Sequence, residues 1–152
     1  MRSLLYKITR IYPAVNYFNF TMLLFRVIVS LELIAVHVHG FKKIGVGVNI
    51  AEIVPNPLHL SDAFNNWFDI VANLISPVFI MLGLLTRLAI LPILAATLTG
   101  YFVLHWNDAL LVKDVPFIYS VVFMLIWVLG PGKYSFDYLI NRKLQLRKLP
   151  GT

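Results

Sequence analysis

The sequence predicts an all-α membrane protein, a bundle of four transmembrane helices with both termini in the cytoplasm. Three observations predict it: the composition, four long apolar stretches, and an uneven distribution of lysine and arginine. Of the 152 residues, 59% are hydrophobic and only 13% are charged, whereas a soluble domain is about half apolar and a quarter charged. Because so few charges cannot cover a water-facing surface, we expect residues 1–152 to form one membrane domain.

The four apolar stretches each approach the roughly 20 residues that a membrane-crossing helix needs. The predicted spans are residues 17–40, 67–85, 88–106 and 115–131. The link between the second and third is so short that these helices must be antiparallel neighbours. At the N-terminal end, segment 1–13 mixes basic and apolar residues, which predicts an amphipathic helix on the membrane surface. At the C-terminal end, segment 132–152 is predicted to be a basic cytoplasmic tail.

The distribution of basic residues gives the orientation. Nine lysines and arginines fall on one side of the predicted membrane and three on the other, with Arg26 inside the first span. Because cytoplasmic loops carry an excess of these residues, the side with nine is predicted to be cytoplasmic. The nine are Arg2, Lys7, Arg10, Arg87, Lys133, Arg142, Lys143, Arg147 and Lys148.

The composition also excludes several functions. The chain has no cysteine, which excludes disulfides, thiol relays, cysteine-bound zinc and iron–sulfur clusters. The four histidines show no spacing that selects a metal, so we predict no metal site. The net charge of +6 lies in loops and tails, where contact with anionic lipid explains it better than nucleic acid does.

Four polar side chains are predicted to lie near the middle of the membrane: Arg26, Glu32, Asn73 and Tyr101. A rise of 1.5 Å per residue puts Arg26 about 3 Å to the cytoplasmic side of the midplane and the others about 5–6 Å beyond it. A polar layer at this depth suits the headgroup of a quinone. An alternative is a buried network that holds the helices in register.

Three ionisable residues, Glu32, His39 and Asp69, are candidate proton carriers towards the outer side. Glu32 and His39 lie seven residues apart on one helix face, and Asp69 and Asn73 belong to one polar stripe of the second helix. An imidazole gains and loses a proton near neutral pH. His37 and His105 lie at similar depth, and for them contact with headgroups and water is the simpler interpretation.

Three short motifs, taken together, resemble the DoxX family of small bacterial membrane proteins. They are Arg26 followed by His39-Gly40-x-x-Lys43, the turn Gly83-Leu84-Leu85-Thr86-Arg87, and Gly130-Pro131-Gly132-Lys133-Tyr134-Ser135-Phe136-Asp137. The resemblance implies a four-helix fold in the bacterial inner membrane. The chain departs from the family pattern at one position, since the family usually has a glutamate where this chain has Asn73.

The resemblance implies two functions. Some relatives look like subunits of a thiosulfate:quinone oxidoreductase, and others are associated with oxidative-stress complexes. This makes the chain a candidate quinone-interacting subunit of a membrane oxidoreductase. The alternative is a non-catalytic accessory subunit that scaffolds a larger complex. Both hypotheses require protein partner subunits, and the chain shows no complete catalytic constellation of its own.

Overall fold

The computed structural model describes residues 15–44 and 55–148, with side chains described for 17–38 and 55–144. This part of the chain is all helical and contains no strand, which confirms the predicted class. The predicted surface segment 1–13 lies outside the described residues.

Within residues 15–44 and 55–148, five helices follow one another, and two of them include a wider π-helical turn. Helix α1 is Val15–Ile44, α4 is Leu110–Leu129 and α5 is Phe136–Lys148. Helix α2 joins Asp62–Ile70, the π turn Val71–Ile75 and Ser76–Leu82. Helix α3 joins Thr86–Thr99 and the π turn Gly100–Leu104.

Helices α1 to α4 run alternately between two ends of a bundle. One end, called the turn end here, carries the Gly83–Leu85 connection and residues 130–135. The other, called the loop end, carries residues 55–61 and 105–109. The short connection between α2 and α3 makes them antiparallel neighbours, as the sequence predicts.

Three of the helices are long and apolar enough to cross a membrane: Tyr17–Val38, Thr86–Leu104 and Leu110–Leu129. Large apolar side chains point outward along them, and Ile28 and Leu88 are each 61% exposed. Outward apolar surface on this scale requires lipid or another apolar partner. Helix α2 is less apolar because its first half carries the polar stripe that includes Asp69 and Asn73.

The core lies between the four helices. It is formed by Leu33, Ile80, Ile90, Ile93, Phe123 and Ile126, none of them more than 5% exposed. The pairs on α3 and α4 are three residues apart, which places each pair on one helix face. Phe25, Val29 and Val122 pack around this cluster.

The helix ends differ from the predicted spans by a few residues, and the turn residues explain why. Helix α2 stops at Leu82 because Gly83 adopts a left-handed conformation with φ 69°, which ends a helix readily. Helix α4 stops at Leu129, before Gly130 with φ 78°. The predicted tail 132–152 contains the helix α5, Phe136–Lys148.

Candidate functional site

At the turn end, Arg26 joins three parts of the chain. Its side chain is fully buried. Its Nη1 donates to the carbonyl of Ile80 at 3.2 Å, and its Nη2 donates to the carbonyl of Tyr134 at 2.7 Å. Arg26 therefore fastens the end of α2 and the segment before α5 to α1.

Gly83 is required where Arg26 meets the turn. Its N–H donates to the carbonyl of Ile80 at 3.0 Å, and the next N–H donates to Phe79 at 2.9 Å, which is the Schellman pattern that closes a helix. A Cβ added to Gly83 would clash with Nη1 of Arg26 and lie 2.5 Å from the Cβ of Ser135. Only glycine satisfies both this conformation and this close approach.

Asp137 holds the start of α3. Its Oδ1 accepts from the N–H of Leu85 at 2.7 Å, and its Oδ2 accepts from the N–H of Thr86 at 2.9 Å. Its own N–H donates to the carbonyl of Gly83 at 2.8 Å. A carboxylate at a helix N-terminus accepts hydrogen bonds from unpaired amides and interacts favourably with the positive end of the helix dipole. It also stabilises Leu85, whose φ of 48° is unusual for a residue with a side chain.

Two further polar residues complete the turn end. The buried Asn19 accepts through Oδ1 from the N–H of Lys133 at 2.8 Å. Ser135 donates to the carbonyl of Gly132 at 2.7 Å and accepts from the N–H of Tyr138 at 3.2 Å, which begins α5. The sequence motifs at Arg26, at Gly83–Arg87 and at Gly130–Asp137 thus meet in one hydrogen-bonded junction.

At the loop end the bundle encloses a cavity of about 460 Å³ that is partly open to its surroundings. Its walls come from all four helices and from loop residues such as Pro57 and Leu60. Most of the lining is apolar. The polar side chains that line it are His37, Asn65, Asp69, Asn73, Thr97, Thr99, His105 and Tyr119. The volume falls within the range of about 300–1,000 Å³ that is typical of small-molecule sites.

Three of these polar side chains are hydrogen-bonded to one another. Nε2 of His37 lies 2.8 Å from Oδ2 of Asp69, and Nδ2 of Asn73 donates to Oδ1 of the same carboxylate at 2.8 Å. Asp69 thus bridges α1 and α2. The Asn73 amide keeps a second hydrogen beyond the one it gives to Asp69.

The two π turns both border the cavity. Asn73 lies in the first, just ahead of Pro77, which has no N–H to donate to the Asn73 carbonyl. Gly100 begins the second, and a Cβ added there would lie 3.7 Å from Pro116 of α4. Because π turns alter the direction of side chains and occur often at functional sites, their position supports this cavity as the site.

A second polar pair lies at the cavity wall. Tyr119 lines the cavity, and its hydroxyl donates to the carboxylate of Glu32 on α1. Beside it, Ser120 donates to the Thr97 hydroxyl at 2.9 Å and links α3 to α4. Glu32 is therefore connected to the cavity through Tyr119 although its own side chain faces outward.

The structure separates the predicted midplane residues. Asn73 and Asp69 line the cavity and Glu32 lies behind its wall, whereas Arg26 belongs to the turn-end junction. Tyr101 lies outside the cavity, where its ring contacts Phe102 with centroids 4.9 Å apart. The side chain of His39 lies outside the described residues.

Sequence reasoning underrated His37 and Tyr119. His37 had been placed near the right depth, and depth along a helix was the only signal available for either residue. Which residues face a common cavity depends on how each helix is rotated, and their partners Asp69 and Glu32 lie on other helices. Within the described ranges, no three histidine, aspartate or glutamate side chains form a metal-binding group.

Fold and site together define a small helical membrane protein with a largely apolar cavity in its bundle, into which a few polar side chains project. A model of the DoxX family matches residues 21–106, more than half of the chain. The chain therefore belongs to the DoxX family, which confirms the resemblance. No curated protein and no solved structure matches it. The motif at 130–137 lies beyond the matched residues, although the structure packs it against Arg26 and Gly83 within them.

Proposed function

We propose that this chain is a quinone-interacting subunit of a membrane oxidoreductase and that the loop-end cavity receives the quinone headgroup. The observation that supports this most is the joined set His37, Asp69 and Asn73 inside a largely apolar cavity. A quinone needs both, a polar contact for each carbonyl and apolar walls for its ring and tail. The chain brings no cysteine-based redox group, so electrons would come from a partner subunit.

The residues that line the loop-end cavity fit a quinone headgroup. Asn73 has one amide hydrogen left to donate to a carbonyl, and it is held in place because its other hydrogen binds Asp69. Leu33, Phe68 and the ring of Tyr119 line the same cavity and supply apolar contact. A fixed donor in an apolar cavity gives orientation and affinity at once.

The same residues can hold and move protons. A bound quinone supplies an exchange of two electrons and two protons. His37 and Asp69 share a contact of 2.8 Å, so a proton taken by one is stabilised by the other. Glu32, through the Tyr119 hydroxyl, is a second acceptor next to the cavity.

Arg26 has a different part in this proposal. Two of its guanidinium nitrogens are already bound to main-chain carbonyls, so it positions α1 relative to α2 and does not contact the ligand. Tyr101 likewise lies away from the cavity lining.

The test is the quinone content of the purified full chain, measured by mass spectrometry after extraction in mild detergent. We expect wild type to retain quinone and Asn73→Leu, which keeps the branched shape of the side chain and removes the amide, to retain about tenfold less. The control is Arg26→Met, normalised to folded protein, which should retain quinone at the wild-type level.

Equal trace amounts in all three proteins would mean carry-over in the micelle and would contradict the proposal. The accessory-subunit alternative would then stand, and a defined partner should copurify. A loss in Arg26→Met with none in Asn73→Leu would move the site to the turn end.

We also propose that all four helices α1–α4 cross the bacterial inner membrane, with the turn end and both termini in the cytoplasm. The excess of basic residues at the turn end supports this orientation. Because the chain has no native cysteine, single introduced cysteines can report it. An impermeant maleimide should label Asp62→Cys and Leu110→Cys in intact cells, and Leu139→Cys only after permeabilisation. Labelling of Asp62→Cys only after permeabilisation would contradict a crossing by α2.

A further inference from the structure

A second cavity, of about 580 Å³, lies at the turn end, away from the proposed quinone site. It is formed where α3 begins, where α4 ends and along the first turns of α5. Two basic side chains line it, Arg87 and Lys133. Neither side chain forms a hydrogen bond or ion pair with any residue that the structure describes.

The acidic side chain in the lining, Asp137, forms no ion pair with either basic residue. Asp137 gives one oxygen to the Leu85 amide and the other to the Thr86 amide. The cavity therefore presents two cations, and each oxygen of the one carboxylate in its lining already accepts a main-chain amide. This is a binding environment for an anion, because charge-assisted hydrogen bonds to Arg and Lys are the strong ones.

Neutral polar groups in the same cavity supply further hydrogen-bond donors for an anion. Tyr138 and Asn141 of α5 line the cavity with the two basic residues. Thr86 also lines it, fully buried, and its hydroxyl has no hydrogen-bond partner among the described residues. Phosphate oxygens accept from each of these groups.

The same cavity also has an apolar side. Leu85, Leu88 and Leu129 line it and are 54%, 61% and 44% exposed. The cavity sits at one end of both candidate spans Thr86–Leu104 and Leu110–Leu129, which is the depth of lipid headgroups. A free phosphate would use the cations and leave these leucines without a role, whereas a lipid uses both.

We propose that the turn-end cavity binds the phosphate of an anionic membrane lipid, with Arg87 and Lys133 as its charged donors and the leucines against its glycerol and acyl chains. The site is independent of the quinone proposal, since the two cavities share no lining residue.

The experiment is native mass spectrometry of the delipidated full chain in detergent, titrated with phosphatidylglycerol or with phosphatidylcholine of the same acyl chains. Phosphatidylcholine carries the same phosphate but has no net charge. We expect wild type to prefer phosphatidylglycerol by about tenfold or more. The double variant Arg87→Gln/Lys133→Gln should lose that preference. The matched control Arg142→Gln/Lys143→Gln removes two charges from α5 outside the cavity lining and should keep it.

Equal binding of the two lipids by wild type would overturn the proposal, and this arm needs no variant to fold. Retention of the preference by Arg87→Gln/Lys133→Gln, with an unchanged helical circular dichroism spectrum, would overturn it as well. Displacement of phosphatidylglycerol by millimolar inorganic phosphate alone would assign the site to a soluble anion and overturn the lipid assignment.

Discussion

The two ends of the bundle use polar residues in different ways. At the turn end, Arg26, Asp137 and Asn19 all bind main-chain groups of other segments. At the loop end, His37, Asp69 and Asn73 bind one another and line a cavity. A side chain bound to main-chain groups has little capacity left for a ligand, whereas a polar chain facing a cavity keeps donors and acceptors that a ligand can use.

The comparison separates the junction that holds the helices together from the proposed quinone site. The motifs by which the sequence resembles the family converge mostly on the turn end, where they set how the helices meet. The part of the molecule suited to chemistry lies at the opposite end. A distinctive motif therefore marks what holds this fold together, and it does not by itself mark the proposed quinone site.

The largest effect should follow Gly83→Ala. The new Cβ would clash with Arg26 and Ser135, and alanine also disfavours the positive φ. Together these cost about 2–5 kcal/mol of stability, measured as thermal unfolding in detergent. Gly100→Ala is the control, because its Cβ would lie at an ordinary contact distance of 3.7 Å from Pro116. Its free energy of unfolding should stay within about 1 kcal/mol of the wild-type value. Similar losses in both variants would contradict the junction.

A smaller loss should follow Arg26→Met. The change leaves the carbonyls of Ile80 and Tyr134 without their Arg26 donors and should cost about 2 kcal/mol, again measured by thermal unfolding. Arg26→Lys should fall between, since a single ammonium cannot reach both carbonyls as a guanidinium does. If Arg26→Met unfolds like wild type, the turn end is not held together by this residue.

The smallest effect should follow Tyr119→Phe at the loop end. It removes the hydroxyl that binds Glu32 and should cost about 1 kcal/mol in thermal stability. The matched change Tyr101→Phe, outside the cavity, should stay within about 0.5 kcal/mol of wild type. Equal effects at the two tyrosines would mean that the Glu32–Tyr119 pair contributes nothing measurable to the bundle.

Much of the fold was predictable because it depends on local sequence. Apolar length predicted the long helices, and the short link between the predicted spans 67–85 and 88–106 predicted that α2 and α3 are antiparallel. The polar stripe on α2 was also predictable, since Asp69 and Asn73 are four residues apart and so share a helix face. The contact of Asp69 with His37 was not, because His37 lies on α1. The bond between Glu32 and Tyr119 was not predictable either, because these residues lie on α1 and α4.

The sequence alone determined that this is a helical membrane protein, because a chain with so much apolar and so little charged surface has no other stable environment. It also determined membership of the DoxX family. Only the tertiary structure decided that Arg26 binds the Tyr134 carbonyl, 108 residues away along the chain, and that Asn73 faces a cavity. Position along a helix gives depth in the membrane, but the rotation of each helix and the choice of its neighbours are set by packing.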